Sequence, residues 1–192
     1  MLKIAKFLYV IMFRLRLYFL WSKLYRLFFQ RKYAKIPLES KLSPEEATNR
    51  MKLLTWTKDS FKELGDAIGS PKWVQHCINE RLAGNPQPKG SLDCDEFGVW
   101  AAACLDGKLF PAVLNVFWKG KKFSGHNVCM YLVGTDLYYT GNWGNIGPFT
   151  IFKDVILDIV KRGAGPEGQL VGWSLFSPSL SLYMSTTYLP QY

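Results

Sequence analysis

The sequence predicts an α+β protein with an antiparallel sheet. Three observations carry this: apolar residues recur at helical spacing in the first half of the chain, strand-like runs fill the second half, and short glycine-bearing turns join those runs. With 192 residues, 48% hydrophobic and 16% aromatic, the chain suits one domain with an appendage and is apolar enough to bury a core. That composition excludes a disordered protein.

Lys35-Ile36-Pro37 separates an arm, residues 1–35, from a domain, residues 36–192, because the residue before a proline is pushed out of the helical region. Ser43-Pro44-Glu45-Glu46 then reads as a helix start, with Ser43 as N-cap, Pro44 at N1 and Glu46 completing a capping box; this helix is expected to run to about Leu54. A short helix is expected near Phe61–Ile68. Pro71 opens another, with Trp73, Val74, Cys77, Ile78 and Leu82 at helical spacing until Gly84. Asn85 to Ser91 is a loop. Asp93 caps the next helix, whose N3 position is Glu96 and whose natural stop is Gly107. Strands are expected at Phe110–Trp118, His126–Val133 and Leu137–Thr140, with turns at Gly120-Lys121-Lys122 and Gly134-Thr135-Asp136. An amphipathic helix over Phe152–Arg162, stopped by Gly163, precedes two final strands at Leu170–Phe176 and Ser181–Leu189.

The net charge of +9 sits in the arm. Residues 1–35 hold nine basic side chains and no acid; removing those nine from the 24 Lys and Arg leaves 15 against 15 Asp and Glu, so the domain is formally neutral. The arm's uninterrupted apolar run, Phe7–Phe13, is too short for a bilayer span, and Arg14 and Arg16 would fall near the centre of one. No small-residue cleavage site of a secretory signal follows. Its basic residues form two stripes, Lys3, Lys6 and Arg14 on one side and Arg16, Lys23 and Arg26 on a nearly opposite one. The expectation is an interfacial helix on an anionic membrane surface, with a protein partner as the next reading and nucleic acid as the last.

Cys77, Cys94, Cys104 and Cys129 are expected to be reduced, in a cytoplasmic protein peripheral at the membrane. Cys94 and Cys104 are ten residues apart on one predicted helix, roughly 15 Å, beyond the reach of a disulfide. Cys94 differs from the others in its position directly after an N-cap, among unpaired N–H groups and at the positive end of a helix dipole. A free cysteine is only about 3% thiolate at neutral pH, and Asp93 and Asp95 oppose ionisation further, so a nucleophilic Cys94 needs a partner base.

Two histidines are available, His76 inside a helix and His126 at a strand start; His126 is the preferred base, and no metal-type cluster or cofactor motif claims either. The orienting group should be an Asp or Asn on a neighbouring element. Asn142 meets that need if Gly134, Thr135 and Asp136 form a three-residue loop, which puts it diagonal to His126; a two-residue loop would put the two on opposite faces. Asn127 points away from His126. The backbone N–H of Cys94 is the first oxyanion donor, and the side-chain amide of Gln87 is the candidate for a second.

Asp93-Cys94-Asp95-Glu96-Phe97, Gly125-His126-Asn127-Val128 and Gly141-Asn142-Trp143, with the Trp-bearing stretches Leu54-Thr55-Trp56 and Pro71-Lys72-Trp73, resemble the transglutaminase-like cysteine peptidases of bacteria and their phages. The resemblance covers about residues 50–150. It implies a papain-like core, a nucleophile helix packed on an antiparallel sheet, and a Cys94-His126-Asn142 triad. Leu92 and Gly98 stand where the family carries glycine and alanine, and Asn142 where Asp is commoner. The expected function is thiol-dependent acyl transfer on the amide bonds of a protein or peptide substrate, as a peptidase, amidase or transglutaminase-like enzyme. The alternative is an inactive papain-like interaction module that works through its arm.

Overall fold

The computed structural model describes residues 17–57, 67–90, 92–121 and 123–187. Within them the chain is α+β: five helices and one six-stranded antiparallel sheet. The helices are α1 (Leu17–Phe29), α2 (Pro44–Met51), α3 (Pro71–Leu82), α4 (Cys94–Cys104) and α5 (Phe152–Ala164). The strands are β1 (Ala112–Lys119), β2 (Phe123–Val133), β3 (Asp136–Gly141), β4 (Gly144–Phe149), β5 (Gln169–Phe176) and β6 (Leu182–Thr187), ordered β4-β3-β2-β1-β5-β6. The helix expected near Phe61–Ile68 falls mostly outside the described residues, as does the end of the last expected strand.

Local chemistry accounts for the helix starts. Ser43 accepts from the Glu46 N–H while the Glu46 carboxylate accepts from the Ser43 N–H, so the capping box before α2 is complete. α2 ends at Met51, short of Leu54. Ser70 caps α3, with Pro71 at its first position. α5 runs past Gly163 to Ala164, and Gly165, with φ of 78°, supplies the left-handed stop instead. β4 was not foreseen: Gly144, Gly147 and Pro148 disguise it, and an edge position tolerates them because one side of an edge strand needs no ladder bonds.

Strand alternation sorts the core into two layers. Val113, Phe117, Cys129, Tyr131 and Phe176 face a layer built from α2, α3 and α4. Leu114, Val116, Trp118, Val128, Met130 and Tyr139 face α5. α4 is enclosed on all sides, with every residue but Cys94 and Ala103 buried, which is why it lacks a polar face. Gly98 lets it approach the sheet: a Cβ there would stand 2.7 Å from Asn127 Oδ1 and 3.2 Å from the Val128 backbone, so an alanine would push against both.

The described part of the arm, from Leu17 on, is packed into the first layer. Phe19 meets Phe176 edge-on with ring centroids 5.0 Å apart, and Ser22 Oγ accepts from the Ile68 N–H at 3.0 Å. Arg26, expected on a solvent-facing basic stripe, turns inward and donates to the carbonyls of Ile68 (3.1 Å) and Pro178 (2.6 Å). Two partly buried backbone carbonyls far apart in sequence share the guanidinium fork.

Buried Gln75 ties the helical layer together. Its Oε1 accepts from Trp100 Nε1 (3.0 Å) and the Glu39 N–H (3.1 Å), and its Nε2 donates to Glu39 and Asn79. Gln75→Leu should leave two donors without acceptors and lower unfolding free energy by about 2–4 kcal/mol, read as a lower urea midpoint; an unchanged midpoint would remove Gln75 as an anchor.

Candidate active site

Cys94 is the first residue of α4. The Asp93 side chain accepts from the Asp95 N–H, and Glu96 Oε2 accepts from the Asp93 N–H, giving the helix a full capping box. Glu96 is buried and its other oxygen accepts from the Gly69 N–H at 2.9 Å. Burial first, and then the charges of Asp93 and Asp95, push the Glu96 carboxyl well above the usual range.

Of the four thiols, Cys94 is the one that is not buried. Burial pushes Cys77 and Cys104 up to about 12, with help from the Glu80 and Glu96 charges at Cys77 and the Glu39 charge at Cys104; it also raises Cys129. Those three are inert small hydrophobes. Cys94 Sγ donates to Asp95 Oδ1 at 3.7 Å, and the ligand atoms of Asp93, Cys94 and Asp95 all lie within 4.8 Å of one another. A thiolate formed here meets two carboxylates, as the residue order implies.

α4 lies over β2 and runs in the same direction. Gly98 rests on Asn127 and Val128, and six residues on Cys104 sits beside Cys129. Cys94, one turn before Gly98 on the same helix side, therefore lies over the His126 end of β2. Alternation then separates the two groups. Asn127 faces α4, whereas His126 pairs across the ladder with Val116, which pairs with Trp173, on the α5 face of the sheet. The thiol and the imidazole share one end of β2 but belong to its opposite sides.

His126 and Asn142 do come together, though not by the expected route. Val133 pairs with Asp136, so the hairpin closes through two residues, Gly134 and Thr135, and the three-residue loop is incorrect. Gly134, with φ of 63°, gives the left-handed conformation that such a turn requires. Continued alternation would put Asn142 opposite Asn127, but β3 stops at Gly141 and Asn142 and Trp143 form the turn into β4. Freed from the ladder, the Asn142 side chain comes within hydrogen-bonding reach of the imidazole, and Trp143 stacks on it with centroids 3.9 Å apart and 23° between planes. Burial lowers His126 to about 4, with Asn142 opposing the shift. His126 Nε2 is buried without a hydrogen-bond partner among the described residues, as are both polar atoms of the Asn127 side chain.

Gln87 is placed as a clasp. Its Oε1 accepts from the Thr55 N–H (2.7 Å) and its Nε2 donates to the Thr55 carbonyl (2.9 Å). Thr57 bridges to Leu92 two residues before Cys94, so Gln87 and Leu92 together hold Trp56 in place. Trp56, Phe97, Met51, Asn142 and Trp143 line an open groove of about 730 Å³ beside the head of α4. Sequence reasoning quoted Trp143 only as part of Gly141-Asn142-Trp143 and gave it no role, and it passed over Met51. The aromatic directly after Asn142 was the available signal for Trp143; nothing local marked Met51.

His76, the other histidine, stacks on Tyr33 and lies 3.8 Å from Glu80, within α3. The chain matches no family model and no curated protein.

Because the folded protein holds His126 neutral down to about pH 4 while an unfolded histidine protonates near 6.5, the stability this residue confers is complete above about pH 6.5 and is lost as pH falls towards 4. His126→Gln should abolish on the order of 3 kcal/mol of acid-side loss, measured as the difference in urea midpoints between pH 7 and pH 4.5 for the two proteins. Parallel pH profiles would show that the imidazole is not held in its neutral form.

Proposed function

We propose that the protein is a thiol-dependent acyl-transfer enzyme of papain-like type acting on amide bonds, with Cys94 as nucleophile, His126 as base and Asn142 as the group that orients it. The observation that carries this reading is the position of the one thiol that is not buried, at the head of a fully capped helix over the His126 end of β2; the groove that Asn142 and Trp143 line reaches this helix at Phe97. A neutral His126 makes the imidazole a general base rather than half of a standing ion pair. The reaction requires thiol and imidazole to meet around the end of β2 that they share: the Cys94 thiol then gives its proton to His126 as sulfur attacks the amide carbonyl, the backbone N–H of Cys94 receives the oxyanion, and the proton passes to the leaving amine. Water completes hydrolysis; an amine completes transamidation. Trp56, Phe97 and Trp143 favour an apolar or aromatic side chain next to the bond that reacts.

One observation favours a second reading, a non-catalytic module that binds ligand in the groove while the thiol stays idle: His126 and α4 lie on opposite sides of β2. Iodoacetamide separates the two. In the enzyme, Cys94 alkylates faster than the other three thiols near neutral pH, and His126→Ala slows it about tenfold or more, because the base that takes the thiol's proton during the attack is gone. A His126→Ala rate within about twofold of the parent, at every pH between 5 and 9, would establish the module instead.

A further inference from the structure

We infer that the outward face of α1 is a docking surface for an anionic lipid bilayer. This goes beyond the acyl-transfer reading and does not rest on it. α1 presents two faces of different kinds. Phe19, Ser22, Arg26 and Gln30 fall on one side and are spent on the domain, through Phe176, Ile68, Pro178 and Ser70. At about 100° per residue, Trp21, Leu24 and Phe28 share the opposite side, with Leu20 and Leu27 beside them. All five are exposed, Leu20 by 54%, Leu27 by 57% and Phe28 by 70%. A domain that has already buried Phe19 and Phe176 leaves this stripe without an apolar cover among the described residues.

The chemistry around the stripe selects its partner. Lys23, Arg31, Lys32 and Lys35 are exposed at its edge and just beyond its end, and the first acidic residue of the chain is Glu39. The 16 residues before α1 repeat the same composition, with Lys3, Lys6, Arg14 and Arg16 around Phe7–Phe13. Apolar side chains bordered by cations over a length greater than one groove-bound helix suit an extended surface that is apolar inside and negative at its rim. No helix of the described residues is long and apolar enough to cross a membrane, so α1 lies on that surface. Arg26 takes no part in lipid contact, since its guanidinium is held by two backbone carbonyls.

The test is sedimentation of the full chain with vesicles of phosphatidylcholine containing about one third phosphatidylserine, against phosphatidylcholine alone. Expected are at least about tenfold weaker binding to the neutral vesicles, a similar loss for the Leu24→Glu, Phe28→Glu double variant, and weakening with added salt. Lys23→Ser with Lys32→Ser provides a second variant that leaves the apolar stripe intact; it should reduce binding to anionic vesicles alone. Unchanged far-ultraviolet circular dichroism and an unchanged Cys94 alkylation rate in these variants separate lipid docking from any failure of the thiol site. Equal binding of the double variant and the parent, or equal binding to both vesicle types, overturns the inference. So does a parent dimer that dissociates in the double variant, which would assign the stripe to a second copy of the chain.

Discussion

The buried carboxyl of Glu96 is the contact on which the candidate site depends. One oxygen takes the N–H of Asp93 and so fixes the residue that caps α4; the other takes the N–H of Gly69 and so fixes the segment leading into α3. Both donors are backbone groups, and the acid is held in its proton-bearing direction by burial and by its two aspartate neighbours. A Cβ on Gly69 would stand 2.5 Å from Glu96 Oε1, so the approach is possible only because that residue has none. Cys94 inherits its place from this arrangement: it is the residue between the cap and the first buried turn.

Around that fixed point, the two sides of β2 carry different groups of the candidate site. The side under α4 has the thiol above it and Asn127 beneath, an amide buried without partners. The far side has the imidazole, clamped between Asn142 and Trp143 and kept neutral by burial. Indole stacking at 3.9 Å removes water from one ring face, which reinforces the same preference for the uncharged form. A base in this state accepts a proton only when one is delivered to it. It does not draw a thiolate out in advance.

Much of the scaffold was legible in the residues. Ser43, Ser70 and Asp93 announce their helices because an N-cap is a local interaction spanning three or four positions. β1, β2 and β5 announce themselves by apolar runs. What failed were features set by registry or by distance along the chain. Two residues of turn instead of three reversed the face predicted for Asn142, and the end of the ladder then restored its contact with His126. Arg26 reads as a surface cation until the carbonyls of Ile68 and Pro178, 42 and 152 residues away, are placed beside it. β4 is hidden by Gly and Pro, which carry no strand pattern. The role of Gln87 was sought at the oxyanion, whereas its amide matches a backbone segment 32 residues earlier.

Ile68, Gly69 and Ser70 send three successive N–H groups to different places: Ser22 on the arm, Glu96 beneath the thiol, and Gln30 on the arm again. The tripeptide is thus a common hinge pin for two elements that a domain diagram would draw apart. Cutting the chain at residue 36 withdraws two of the three fastenings and leaves the remaining one to hold the cap of α4. A truncated protein is therefore not the domain minus its tail but a domain with a loosened Cys94, and the reactivity of that thiol reports on both at once.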